Sequence, residues 1–214
     1  MMIADIRADY KSTVRAQILK TARVLFVHQG YRAFSLRALA RRIGYSPAAV
    51  YKHFKSKQHI FDLLAQESFD ALAQASANVK TVTGEAPVKR LKRGLLAYVE
   101  FGLQNPDHYR FAFLVDRPAA RTKPQSAYEA LRHRVRECIA SSVLRAGNVE
   151  LMAQSLWAAA HGITSLLIQK PLFPWAARNK LVRQVVDSAI AGLLASKKSR
   201  IRRGAIHGNR HNRS

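Results

Sequence analysis

Between Tyr10 and Phe61 the chain contains no Asp or Glu, while Lys11, Arg15, Lys20, Arg23, Arg32, Arg37, Arg41, Arg42, Lys52, Lys55 and Lys57 all fall there. Inside that run lies Ser35–Lys57, SLRALARRIGYSPAAVYKHFKSK, whose spacing reads as two short helices joined by a tight turn. Leu36, Leu39, Ala40 and Ile43 line one helical face behind Ser35, a good N-cap, and Gly44 supplies a left-handed stop. Ser46 followed by Pro47 starts the next helix, because Ser caps and Pro fits a first turn that needs no N–H. Val50 and Phe54, four apart, point inward and leave Ala48, Ala49, Tyr51, Lys52 and His53 nearer the outside. Upstream, Ile18, Ala22, Leu25 and Phe26 repeat at three and four residues from about Thr13 to Gln29, with Gly30 at the stop. Apolar spacing is helical nearly throughout, so the expected fold is all-α.

The amount of charge and its segregation bear on function. A formal net charge of +23 in 214 residues favours a polyanionic partner and salt-sensitive binding. Solubility alone accounts for the amount of cation but not for its concentration in an acid-free segment. Arg37 and Arg41 lie four apart, opposite Leu36, Leu39 and Ile43, where both reach phosphates without emptying the core. The pair of helices thus has the character of a helix-turn-helix, whose first member crosses the backbone while the second enters the major groove. The bland alternative is a surface hairpin with solvated arginines. Cys138 is the only cysteine, so no intrachain disulfide forms, and inert packing on a helix face is expected of it. The N-terminus carries acids and no apolar run, and no uninterrupted apolar stretch of membrane-spanning length occurs, so neither a signal peptide nor a membrane span is expected. No nucleophile–base pair, paired carboxylates, metal-ligand spacing or Gly-rich phosphate loop is visible, so the chain is not expected to be an enzyme or to hold a metal or cofactor.

The run ILKTARVLFVHQGYRAFSLRALARRIGYSPAAVYKHFKSKQHIFDLL resembles the N-terminal DNA-binding domain of TetR-type transcriptional regulators. It carries the helix-one pattern, the Gly-Tyr-x-x-Phe-Ser entry, the Ala-x-x-x-Gly turn, a Tyr-x-His-Phe recognition helix and the Lys that begins helix four. The resemblance implies that Tyr51 and Lys57 contact phosphate with His53 close to the backbone, and that Ser46, Pro47, Ala48, Ala49 and Lys52 face bases. Ser35, Arg37 and Arg41 complete the expected DNA surface. Ala48 and Ala49 lack hydrogen-bonding groups, so their readout is apolar contact with thymine methyls. For His53, a helix-end cap is a nearly equal alternative; for Lys57, the alternative is a solvated capping lysine.

Residues 1–12 read as an arm, 13–58 as the helix-turn-helix domain with helix four continuing to about 79, 84–196 as a helical second domain, and 197–214 as a disordered basic tail. Gly, Thr and Pro between Lys80 and Pro87 mark the boundary. The stretch LWAAAHGITSLLI, with Trp157, His161 and Gly162, resembles the family's C-terminal domain type marked by W-x-x-x-H-G, and Pro106–Phe113 also suits it. That resemblance implies a domain that dimerises and holds an inducer. The expected dimer surface comprises Ser155, Ala158, Gly162, Ser165, Val182, Val185, Val186 and Ala189. A ligand pocket is placed at Leu95, Val99, Tyr109, Phe113 and Leu114, with Trp157 and His161 beside it, although a packed Trp and a hydrogen-bonded core His are the structural alternative. Lys89, Arg90, Lys92 and Arg93 read as a solvated basic face, and the tail as a source of non-specific phosphate contacts. The implied function is a bacterial cytoplasmic, nucleoid-associated homodimeric repressor, released from a palindromic double-stranded operator by a small-molecule effector. A ligand-independent architectural DNA-binding protein is the alternative.

Overall fold

The computed structural model describes residues 2–115 and 126–195, with side chains from residue 12 onward. Residues 116–125 and the expected tail at 197–214 lie outside the described residues. Nine helices are present among the described residues: α1 (Met2–Ala33), α2 (Leu36–Ile43), α3 (Pro47–His53), α4 (Lys57–Ala77), α5 (Pro87–Gln104), α6 (Pro106–Phe113), α7 (Ser126–Ala140), α8 (Val149–Gln169) and α9 (Arg178–Ala191). Extended pairing among them is limited to one antiparallel bridge, Leu144 to Leu194, so the fold is all-α as expected.

The chain divides into two compact units, Met1–Ala71 with Asn105–Lys123 and Leu72–Gln104 with Pro124–Ser214. This division differs from the expected break at Lys80–Pro87 in two respects. It falls inside α4, and α6 joins the first unit because Phe111 enters that unit's core beside Phe26 and Phe61. The expected arm at 1–12 is instead helical from Met2, continuous with α1.

In the first unit Val14, Ile18, Ala22 and Phe26 recur every fourth residue of α1, and all are buried. They meet Leu36, Leu39 and Ala40 of α2, Val50 of α3 and Ile60, Phe61 and Leu64 of α4. Phe26 is the hub: its ring stacks 3.9 Å from Phe34 and lies edge-on to Phe61 at 5.3 Å and Phe111 at 5.7 Å. Gly30, at φ 75° and ψ 169°, adopts a conformation open to glycine, so it kinks α1 and the helical run resumes as far as Ala33.

The second unit packs α5, α7, α8 and α9 around Leu91, Leu95, Val99, Val135, Met152, Leu156, Leu167 and Val186. Cys138 is buried in this core, where desolvation and then Glu137 push its thiol up to about 11, which agrees with inert packing. The 21-residue α8 reaches a mean hydropathy of 1.3, enough by length and composition for a membrane span. Its buried Met152, Ala153, Leu156, Ala160, Ile163, Thr164, Leu167 and Ile168 instead supply one side of the core. The cations opening α5 are not a merely solvated face. Arg93 forks onto both carboxylate oxygens of Glu85 at 2.9 and 2.6 Å, Arg90 pairs with Glu137, and Lys92 reaches Asp187 at 2.5 Å. The helix start is thereby tied to the preceding turn, to α7 and to α9.

Candidate nucleic-acid interface

Local chemistry sets the geometry of the α2–α3 pair. Ser35 caps α2 by accepting from the Ala38 N–H at 3.1 Å, and Gly44 ends it at φ 73°, ψ 25°. The Gly44 N–H reaches the Arg41 carbonyl and the Tyr45 N–H the Ala40 carbonyl, the two bonds of a Schellman turn. Two residues later Ser46 accepts from the Ala49 N–H at 3.2 Å, with Pro47 in the first turn of α3. Both serine side chains therefore serve as caps, leaving the hydroxyl proton as the group each offers outward.

The expected DNA-facing residues are largely exposed. Ser35, Arg37, Arg41, Ser46, Pro47, Ala48, Tyr51 and Lys52 are exposed, while Val50 and Phe54 are fully buried beneath them. Tyr51, at 54% exposure, is too open to serve as a core aromatic covering Phe54. Ala49 is half-buried, so its reach towards a base is less than that of Ala48. His53 is also half-buried, with its ring 6.4 Å from that of Phe54.

Lys57 differs from a simple phosphate-binding lysine. Its ammonium donates to the carbonyls of Arg32 at 3.3 Å and Phe34 at 3.1 Å, and it stands 4.3 Å over the ring of Tyr31. Tyr31 in turn donates to Gln58 Oε1 at 2.6 Å. Two of its three N–H bonds therefore secure the chain where α1 ends and α4 begins, which leaves one for a phosphate.

A second cluster in the same unit was not visible in the sequence. Arg23, buried on α1, donates to Nε2 of His108 on α6 and pairs with Glu67 of α4 at 2.7 Å. Burial, then the Arg23 guanidinium, holds His108 below the ordinary imidazole range, against the opposing pull of Glu67 and Asp107. In the second unit His161 is likewise depressed by burial. A histidine whose folded value is lowered stays neutral in the fold while the unfolded chain takes up a proton. Its contribution to stability is complete above the ordinary value, about 6.5, and is lost as pH falls through the lowered one. We expect the melting temperature to fall between pH 7 and pH 5, and His108→Gln to reduce the drop in the first unit's transition. A pH profile unaltered in both His108→Gln and His161→Gln would show that neither histidine carries it.

The expected pocket residues are divided between the units. Leu95 and Val99 are core residues of the second unit. Tyr109 is buried in the first, 5.0 Å from the ring of Phe113, and Leu114 is exposed. Trp157 and His161 do come together: Trp157 Nε1 donates to Tyr98 Oη at 3.3 Å, Tyr98 Oη lies 3.1 Å from His161 Nδ1, and Tyr128 adds a fourth ring 5.9 Å from Trp157. An open hollow of about 400 Å³ elsewhere in this unit is lined by Val88, Lys92, Val143, Asp187, Ile190 and Leu194, with no expected pocket residue among its walls.

The expected dimer surface also needs correction. Val182 and Val186 are buried within their own chain's core, so they are not available to a partner. Val185, Ala189, Gly162 and Ser165 are half-buried, and Ser155 and Ala158 are exposed. A Cβ at Gly162 would meet nothing within 4 Å, so no other part of the chain closes on this glycine.

Comparison with known proteins agrees with the all-α fold. Residues 18–64 match the profile of bacterial regulatory proteins of the tetR family, and residues 91–191 that of the tetracyclin repressor-like C-terminal domain, together well over half of the chain. Nucleoid occlusion factor SlmA of Sodalis glossinidius is 27% identical over 173 residues, 76% of this chain and 87% of that protein. The HTH-type transcriptional activator FasR of Mycolicibacterium smegmatis is 28% identical over 146 residues, 66% of each chain. The TetR family transcriptional regulator PfmR from Thermus thermophilus shares the fold with a TM-score of 0.62 at 23% identity, over 81% of this chain and 97% of its own. The chain belongs to the TetR family: it is a DNA-binding transcriptional regulator and not an enzyme.

Proposed function

We propose that this regulator acts as a homodimeric repressor in the bacterial cytoplasm, occupying a palindromic operator on the nucleoid and leaving it when a small molecule binds the second unit. The observation that carries the DNA-reading part is the exposed, acid-free surface of Arg37, Arg41, Tyr51 and Lys52 beside Pro47 and Ala48, built on capped helices with Val50 and Phe54 locked beneath. In this reading Arg37, Arg41, Tyr51 and the remaining N–H of Lys57 hold phosphates, while Ala48, Ala49 and Lys52 meet base edges. The expected disordered tail would add salt-sensitive phosphate contacts.

Dimerisation is supported by an exposed stripe along α8. Exposed Leu151, Ser155, Ala158 and Leu166, with half-buried Gly162 among them, recur at three or four residues on its outer side, opposite the residues that fill the core. Leu151 and Leu166 are 64% and 48% exposed in the single chain, the pattern of a helix that meets a second copy. A two-fold pair would then set two α3 helices at successive major grooves, hence a palindromic site. For the effector, the aromatic and polar group of Tyr98, Tyr128, Trp157 and His161 supplies both stacking faces and hydrogen-bonding groups.

Binding-site selection from a random duplex pool, followed by titration of the winning duplex and a scrambled one at rising salt, tests the proposal. A palindromic winner held more tightly than the scrambled duplex supports a specific regulator. Equal affinities that vanish together would support the architectural alternative, for which the net charge of +23 and the likeness to a nucleoid occlusion factor speak. Within the same assay Tyr51→Phe is expected to weaken both duplexes alike with the salt slope unchanged, because a neutral phenol donates to phosphate without displacing a counterion, whereas Arg41→Ala should lower the slope by roughly 1. Unchanged affinity for both duplexes would remove Tyr51 from the phosphate-binding set.

A further inference from the structure

We propose that Arg15 of α1 is a positioning residue for base reading: it grips the C-terminal end of α3 and thereby fixes the angle at which that helix presents Ala48, Ala49 and Lys52. The inference rests on α3 being the reading helix. It concerns a side chain that touches no base.

At seven residues α3 is far below the roughly 12–15 at which an isolated helix becomes even marginal in water, so its orientation depends on what holds it. Its N-terminal end is secured locally, by Ser46 and Pro47. In the middle a single side chain of the helix, Val50, is buried. The C-terminal end leaves carbonyls without partners inside the helix, and there Arg15, thirty-eight residues earlier, donates from Nη1 to the carbonyl of His53 at 3.3 Å. The same guanidinium lies 4.6 Å from the centroid of the Phe54 ring, itself fully buried at the end of α3. A cation at a helix C-terminus is favoured by the helix dipole, and one over an aromatic face by the ring quadrupole. Both attractions act here on the same two residues, His53 and Phe54, through one side chain.

Arg15 also differs in placement from the arginines assigned to phosphates. Arg37 and Arg41 are exposed on α2, whereas Arg15 is half-buried between α1 and the end of α3. Planarity and two kinds of contact made at once distinguish arginine from lysine at such a site, so partial rescue by lysine is expected. Loss of the grip lets α3 tilt about Val50, which displaces base-facing atoms while leaving the phosphate-binding cations of α2 where they are.

The test uses the full chain, wild type and the variants Arg15→Ala, Arg15→Lys and Arg15→Gln, with the duplex selected by the wild type and a scrambled duplex of equal length. Arg15→Ala should weaken the selected duplex about tenfold, the size of one mismatched base pair, with the scrambled duplex nearly unchanged and the salt slope preserved. Arg15→Lys should recover most of the discrimination and Arg15→Gln part of it. Thermal melts establish that each variant is folded, and if Arg15→Ala is not, the lysine and glutamine variants decide by the same ratio. Equal weakening of both duplexes with a slope lower by about 1 would make Arg15 an ordinary phosphate contact and overturn the proposal. So would an unchanged ratio in a folded variant. A wild type that fails to discriminate between the duplexes would instead overturn the reading of α3 itself, and this inference with it.

Discussion

Replacing Phe26 by Ala is expected to strip the first unit of much of its stability while leaving the second unit's unchanged. The side chain is fully buried, and its ring contacts Tyr31, Phe34, Phe61 and Phe111, so it joins the end of α1, the start of α2, α4 and α6. Truncating a buried Phe to Ala costs about 3–5 kcal/mol, from lost burial together with the cavity left behind. Whole domains of this size are stable by only about 5–15 kcal/mol, so a large share of the margin goes with one ring. Calorimetry should show the first unit's transition lowered by at least about 10 °C, and DNA binding lost with it. Phe26→Leu keeps most of the volume and should fall between the two. A melting curve for Phe26→Ala within about two or three degrees of wild type would mean that the aromatic cluster is not the keystone of this unit.

The two serine caps, the Gly44 turn and the inward pair Val50 and Phe54 were legible from the sequence because each depends on neighbours only a few residues away. The exposed cationic surface was legible for a related reason: no acid intervenes, so no rearrangement of the helices could neutralise it locally. Contacts between elements were another matter. Nothing in the period of α6 says that Phe111 packs beside Phe26, and the pairing of Arg23 with Glu67 and His108 joins three helices at long range. Lys57 could be assigned to a helix start but not to the carbonyls of Arg32 and Phe34, which depend on how α1 ends after the Gly30 kink. In α9 the apolar set Leu181, Val182, Val185, Val186, Ala189 and Ile190 covers more than one face, so sequence spacing leaves its rotation undetermined. The structure turns Val182, Val186 and Ile190 inward.

That rotation shifts the weight of the proposed dimer contact onto α8, and Gly162→Arg gives the most direct test of it. Glycine at a helical position is about 1 kcal/mol worse than a good helix former, and nothing in the chain stands within 4 Å of the Cβ direction at Gly162. The protomer should therefore tolerate arginine and melt cooperatively. In a two-fold pair built on the stripe from Leu151 to Leu166, the new side chain faces a region made of Ser155, Ala158 and Leu166, where close approach of two helices leaves no room for a guanidinium and no acid to pair with it. The variant is expected to sediment as a monomer. Each protomer still carries an intact α2–α3 surface, so binding to scrambled DNA should change little per protomer. The selected palindrome is different, because two linked half-sites gain roughly 10²–10⁴ in avidity over one, and that gain disappears with the dimer. Ala158→Arg, one turn away on the same exposed side, should reproduce the result. If both variants remain dimeric with palindrome binding intact, the second copy is held by another face, and the exposed leucines of α8 serve a different partner.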